Sequence, residues 1–161
     1  MTVRPATPAD LPRLGRLGAL LVEAHYNLDA QRFLAARPRT PADYAAFLTL
    51  QLDRPDVAVL VADESGDVIG YAYATVGGYD YMALCGPAGV LHDVFVDPGY
   101  RGRGVGRLLL DAALAFLKVR GAPRVVLTTA EGNQAAQRLF ARAGFRRTMV
   151  EMTRELHGDA P

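Results

Sequence analysis

The chain has 161 residues, half of them hydrophobic and 22% charged, with a formal net charge of +1. That length suits one domain with a real core, and the near-neutral charge gives no bulk electrostatic case for nucleic acid or an anionic membrane. The single cysteine, Cys85, excludes an intrachain disulfide and a thiolate metal cluster, so no metal is expected and a reducing cytoplasm suits the chain.

The N-terminal MTVRPATPADL has no apolar signal core, and the longest apolar runs fall short of a membrane span. Thr2 to Arg4 reads as a short strand. Thr7-Pro8-Ala9-Asp10 then reads as a helix start, with Thr7 as N-cap and Pro8 at the first helical position. Leu11, Leu14, Leu17, Leu21 and Val22 keep helical spacing to about His25. Residues 27–39 read as irregular and partly helical. Thr40-Pro41-Ala42-Asp43 repeats the start signal, and Tyr44, Phe47, Leu48 and Leu52 predict a second amphipathic helix.

Val57 to Ala62 and Val68 to Val76 flank the turn Glu64-Ser65-Gly66-Asp67 and predict a β-hairpin. Gly77-Gly78 interrupts it, and residues 79–89 read as a loop or a further extended piece. Val90 to Val96 predicts the next strand, and Arg107 to Val119 a helix. Arg124 to Thr129 predicts a strand, Asn133 to Arg142 a helix, and Arg147 to Glu155 a last strand. The sum is an α/β (α+β) fold: a mixed, largely antiparallel sheet flanked by about four helices, in one domain over residues 1–156. Residues 157–161 read as a frayed tail.

The chemistry concentrates in VLHDVFVDPGYRGRGVGRLLL, Val90 to Leu110. An apolar strand stops at Asp97-Pro98-Gly99, a basic glycine loop follows, and a helix begins. That order gathers backbone N–H groups and a helix's positive end at one point, which is suited to phosphate. Gly102, Gly104 and Gly106 let the backbone approach a ligand, and Arg101, Arg103 and Arg107 add positive charge; a surface turn with solvated arginines is the plainer alternative. The run is not a P-loop, because no Gly-Lys-Ser/Thr follows. It is not a dinucleotide turn either, because the sixth position, with Gly102 counted as the first, falls on Arg107.

The loop does match Arg/Gln-x-x-Gly-x-Gly/Ala through Arg101, Gly104 and Gly106. It resembles the acyl-CoA-binding motif of the GNAT superfamily of N-acetyltransferases. Upstream, VFVDPGYRG is similar to that superfamily's central strand and its Val-x-Pro-x-Tyr-Arg-Gly run. Downstream, Asn133, Ala136, Leu139-Phe140 and Gly144-Phe145 resemble its Asn-x-x-Ala-x-x-Leu-Tyr-x-x-x-Gly-Phe segment. The two motifs cover the C-terminal two-thirds of the chain in the expected order.

The resemblance implies a GNAT-like sheet whose central strands splay, with acetyl-CoA as co-substrate. It places the pyrophosphate at Gly102, Arg103, Gly104, Val105, Gly106 and Arg107, beside Arg101. Val94, Phe95 and Val96 would supply strand backbone to the pantetheine arm, with the Val125–Thr129 strand opposite. Asn133 would contact the cofactor as well as cap its helix. Many members carry a tyrosine where this chain has Phe140, and a phenyl ring has no proton for a leaving thiolate. Phe140 then keeps a packing role beside the pantetheine, and the thiolate takes its proton elsewhere or leaves without one.

His92 and Asp93 are the polar residues inside the apolar strand. Strict alternation puts His92 on the face of Val94 and Val96, and Asp93 on the other. An attacking amine must lose a proton, and an imidazole near neutrality accepts it. His92 is thus the candidate base, against the alternative of a hydrogen-bonded core histidine. Asp93 is the second candidate, as base, as contact for a cationic substrate, or as a structural hydrogen-bonding group. In the resembled family the first helices and the segment after the third strand line the acceptor pocket, which draws attention to Tyr26, Tyr79 and Tyr81, with Tyr71, Tyr73 and His25 beside them.

The expected activity is transfer of an acetyl group from acetyl-CoA to a primary amine of a small molecule. The alternatives are a peptide N-terminus or an aminoglycoside as acceptor, or a CoA-binding sensor without turnover. Some members of the resembled family dimerise through sheet or C-terminal elements, which makes a homodimer the expectation.

Overall fold

The computed structural model describes residues 1–156; the frayed tail expected at 157–161 lies outside the described residues. Five strands form one sheet in sequence order: β1 (Thr2–Pro5), β2 (Val57–Glu64), β3 (Asp67–Gly77), β4 (Ala88–Val96) and β5 (Val125–Leu127). The first four are antiparallel neighbours, and β5 runs parallel to β4. Four helices flank them: α1 (Leu11–Leu28), α2 (Thr40–Thr49), α3 (Val105–Val119) and α4 (Gln134–Arg142).

Each sheet face has its own core. Leu14 and Leu17 of α1 and Leu48 of α2 pack on Val57, Val59, Tyr71 and Phe95. Leu109, Leu110, Ala113 and Leu117 of α3 pack on Ala62, Ile69, Ala72 and Leu91 on the other face. The helical spacing read from the sequence produces these two apolar stripes directly.

The start of α1 differs in detail from its signal. Pro8–Asp10 forms one 3-10 turn before the α-helix, and the Asp10 carboxylate accepts from the Thr7 N–H at 2.7 Å and hydroxyl at 2.9 Å. Arg4 donates to both Asp10 oxygens, at 2.8 and 3.0 Å, and holds that carboxyl down at about 2. The helix entrance is thereby tied to β1.

Two features of the sheet matter for the site. The β4–β5 pairing covers only Gly89–Leu91 against Val125–Leu127, so among the described residues β4 has no neighbour on that side from His92 onward. The central strands splay, as the family resemblance implied. The second feature is a β-bulge. Tyr73 pairs with Asp93 and Ala74 with Leu91, which leaves His92 as an extra residue in β4.

The strand expected at 147–155 is absent: this stretch runs without ladder partners, and Met149, Val150 and Met152 are 80–89% exposed. Strand propensity is expressed only where an edge is available to pair with, and here none is met. The β5 strand is likewise shorter than the expected 124–129, because β4 has already turned away at Leu127.

Candidate active site

The glycine loop caps the C-terminal end of β4 and feeds α3. Gly104 is the N-cap residue of α3, with φ of +81°, and Gly102 has φ of +76°. Both values lie in the left-handed region that residues with a Cβ disfavour. Among the described residues, the N–H groups of Gly102 to Gly106 have no protein acceptor, while Arg107 and Leu108 donate to the Gly104 carbonyl at 3.1 Å. A run of free donors at the positive end of a 15-residue helix fits a diphosphate.

The three arginines of the loop are each engaged. Arg103 pairs with Glu64 at 2.7 Å, and Arg107 with Asp111 on its own helix at 2.8 Å. Arg101 donates from Nε to the Val96 carbonyl at 3.1 Å, its guanidinium 5.4 Å from the Phe95 ring centroid. The exposed pairs of Arg103 and Arg107 cost little to open.

The open edge of β4 is defined by its ladder. Asp97 donates to the Ile69 carbonyl at 2.9 Å, and Tyr71 stands opposite Phe95. By antiparallel alternation, Asp97 and Phe95 turn their backbone groups toward β3, and Val94 and Val96 turn theirs into the splay. Of the three residues assigned to the pantetheine, Val94 and Val96 therefore offer edge backbone. Phe95 contributes its ring to the core instead.

On the far side of the splay, the Asn133 oxygen caps α4 by accepting from the Ala136 N–H at 3.1 Å, which leaves its amide NH₂ uncommitted. Phe140 meets Phe145 edge-on at 5.9 Å and packs against the α3-side core. A phenyl ring, which has no proton to give, thus stands where the resembled motif carries tyrosine.

The bulge corrects the expected placement of His92. An extra residue shifts the alternation by one, so Leu91 packs on the α3 face while Asp93 and Phe95 face α1 and α2. The His92 ring stacks on Tyr73 at 4.7 Å and 22°, and its Nε2 lies 2.9 Å from the Thr75 hydroxyl. His92 and Asp93 thus share the α1/α2 side, rather than lying on opposite faces. Burial pushes the His92 pKa below its usual range, and the neighbouring Asp93 opposes that shift.

Asp93 is held by two tyrosines. Tyr44 of α2 donates to it, and the Tyr71 hydroxyl lies 2.7 Å from the Tyr44 hydroxyl and 3.5 Å from the carboxylate. Burial raises the Asp93 carboxyl above the usual carboxylate range, and the Tyr44 hydrogen bond draws it back. Burial and the facing carboxylate push Tyr44 upward.

Gly18 of α1 makes room for this arrangement: a Cβ there would lie 2.2 Å from the Tyr44 ring. Neither Tyr44 nor Thr75 was singled out as a site residue in the sequence. The available signal was a tyrosine on an apolar helix stripe, whose buried hydroxyl needs a partner, and an aspartate inside an apolar strand that needs a donor.

The expected substrate residues divide. Tyr79 and Tyr81 stack at 6.5 Å and line a groove of about 500 Å³ floored by Ala88, Val90 and Val126. Tyr26 lies on α1, outside that groove. Cys85 also lines it, as a free thiol. Among the described residues, no group of three or more His, Cys, Asp or Glu could hold a metal ion, and no helix is long and apolar enough to cross a membrane.

Known proteins match this architecture. Mycothiol acetyltransferase of Thermobispora bispora is 39% identical over 92 residues, 57% of this chain and 31% of that protein. The Salinispora tropica protein of the same name is 34% identical over 139 residues, 83% of this chain and 44% of that protein. The chain thus spans less than half the length of these two relatives. Among solved structures, the tetramutant of the BH1408 protein from Bacillus halodurans superposes with a TM-score of 0.83 at 24% identity, over 97% of this chain and all of that one. The aminoglycoside N-acetyltransferase AAC(6')-Iy, solved in complex with CoA, gives 0.72 at 23% identity, over 97% and 95%. The sequence model of the Acetyltransferase (GNAT) family matches residues 17–145, so the chain belongs to the GNAT acetyltransferase family.

Proposed function

We propose that the chain transfers an acetyl group from acetyl-CoA to a primary amine of a small molecule by direct attack. The observation that carries this reading is the continuity of the open β4 edge. It runs from the His92 bulge, past the free backbone of Val94 and Val96, to the N–H groups of Gly102–Gly106. One ligand with a diphosphate at one end and an extended amide arm at the other spans that line.

Acetyl-CoA supplies the thioester. The chain's own residues align it and manage the proton. The loop donors hold the diphosphate, Val94 and Val96 pair with the arm, and Arg101 exchanges its contact with the Val96 carbonyl for one with the ligand. His92, neutral because burial disfavours its cation, takes a proton from the incoming ammonium directly or through water. Asp93, beside it, favours the resulting imidazolium. Cytoplasmic conditions, in which Cys85 stays reduced, suit this assignment.

A second reading rests on Phe140. Without a proton donor at that position, a CoA-binding sensor that never turns over would have the same loop and the same open edge. Thermal-shift measurements with CoA, ATP and NAD test the shared part of both readings. Stabilisation by CoA alone supports them, and stabilisation by ATP or NAD without CoA overturns them.

A further inference from the structure

One side chain from the far end of the sequence ties α1 to the phosphate loop. Arg13 lies in the first turn of α1, outside both motifs of the C-terminal two-thirds. Its Nε donates to the Val68 carbonyl at 2.9 Å, at the start of β3, and its Nη2 donates to the Asp97 carboxylate at 2.6 Å. Both partners of this pair are partly buried.

Asp97 joins the end of β4 to a 3-10 turn over Pro98–Tyr100. Its N–H donates to the Ile69 carbonyl at 2.9 Å, and its carbonyl accepts from the Tyr100 N–H at 2.8 Å. Its second carboxylate oxygen accepts from the Gly99 N–H at 2.9 Å. The Gly99 N–H and the Arg13 guanidinium hold this carboxyl below the usual carboxylate range. One residue thus fixes the direction in which the chain leaves β4. Arg101 and the free donors of Gly102–Gly106 follow directly. A guanidinium is a planar fork, and here one arm is anchored on β3 while the other grips the turn. An ammonium has the charge without that geometry.

We propose that Arg13 is a positioning residue for the diphosphate loop: by holding Asp97 against the start of β3, it sets the angle at which Gly102–Gly106 present their N–H groups. Arg13 acts through Asp97 and not on the ligand. The role rests on the CoA reading above. It also gives α1 a hold at both ends of the open β4 edge. Arg13 fixes the loop end, and Gly18 admits Tyr44 to Asp93 at the other.

Two acetyl donors separate positioning from general weakening. Acetyl-CoA carries the diphosphate, and S-acetylpantetheine carries the same thioester without it. Arg13→Gln should raise both the Kd of CoA in calorimetric titration and the KM of acetyl-CoA about 10-fold, the loss of one charge-assisted hydrogen bond. The kcat should stay unchanged, as for lost uniform binding, and kcat/KM for S-acetylpantetheine should not move. Asp97→Asn keeps an acceptor for the Gly99 N–H but turns an amide donor toward Arg13. It should weaken CoA binding to a similar extent, and the double variant should lose no more than either single one. Arg13→Lys should recover only part of the affinity. If Arg13 instead acts by attracting the anion, Arg13→Lys restores CoA affinity in full and Asp97→Asn strengthens it; either result overturns the proposal. So do equal losses with both donors, or an Arg13→Gln variant that binds CoA as the wild type does. A wild type that fails to bind CoA contradicts the underlying reading, and the proposal with it.

Discussion

His92 lies against Tyr73 with ring centroids 4.7 Å apart and planes 22° from parallel, and its Nε2 is 2.9 Å from the Thr75 hydroxyl. Both contacts follow from one extra residue in β4, because the bulge turns His92 toward the side of Asp93. An imidazole fixed at one nitrogen and stacked on one face presents its other nitrogen in a defined direction. That is the requirement for a proton acceptor that must meet an incoming amine.

His92→Ala should lower kcat by about 100-fold or more, the usual loss for a positioned base, with CoA affinity preserved. The pH dependence has a definite sign. Burial lowers the folded-state pKa of His92 below its ordinary 6.5, so the acidic limb of the kcat/KM profile should fall below that value and disappear in the alanine variant. In stability, the unfolded chain binds the extra proton between the two pKa values. Wild type should therefore lose stability as the pH drops through that window, and His92→Ala should lose less.

The Tyr44–Asp93 contact should behave as a buried, donor-dependent carboxylate. Tyr44→Phe removes the principal donor and should destabilise by about 1–3 kcal/mol at pH values where Asp93 is ionised. The difference should shrink as Asp93 protonates. Because burial raises the Asp93 pKa, its stabilising contribution is present below the unfolded value of 3.8 and lost as pH rises through the folded value. Asp93→Asn should thus gain stability relative to wild type with rising pH, while acetyl transfer falls. Denaturant titrations at pH 4 and pH 8 measure both trends.

Gly104 and Gly106 should separate cleanly. Gly104 sits at φ +81°, so Gly104→Ala should cost about 1–2 kcal/mol of stability and weaken CoA binding by distorting the donor run. Gly106 lies inside α3, and a Cβ there would rest 3.5 Å from Leu139 and 3.7 Å from Val96, which is ordinary contact. Gly106→Ala should stabilise by about 0.5–1 kcal/mol and keep CoA binding. Calorimetric titration with CoA and thermal unfolding of the two variants check the contrast.

The same contrast shows what the sequence could disclose. The requirement for glycine at position 104 follows from local backbone geometry, which is written in local sequence, whereas the tolerance at 106 depends on the space left by Leu139 and Val96. Equally local are α3, the hairpin of β2 and β3, and the Asn133 cap. The bulge at His92 is not local: it arises from the pairing of β4 with Tyr73 and Ala74 of β3, and alternation along one strand cannot reveal it. Tyr44 reaches Asp93 only because α2 packs closely on Gly18 of α1. The segment 147–155 shows the reverse case, where strand composition was legible but no edge within the described residues receives it.

Thiol release from acetyl-CoA, followed across a panel of primary amines, tests the central claim most directly. The account predicts release that depends on an amine, saturates with acetyl-CoA, slows about 100-fold or more in His92→Ala, and needs more acetyl-CoA to saturate in Gly104→Ala. Tight CoA binding with no thiol release from any amine would contradict it and leave the chain a CoA sensor.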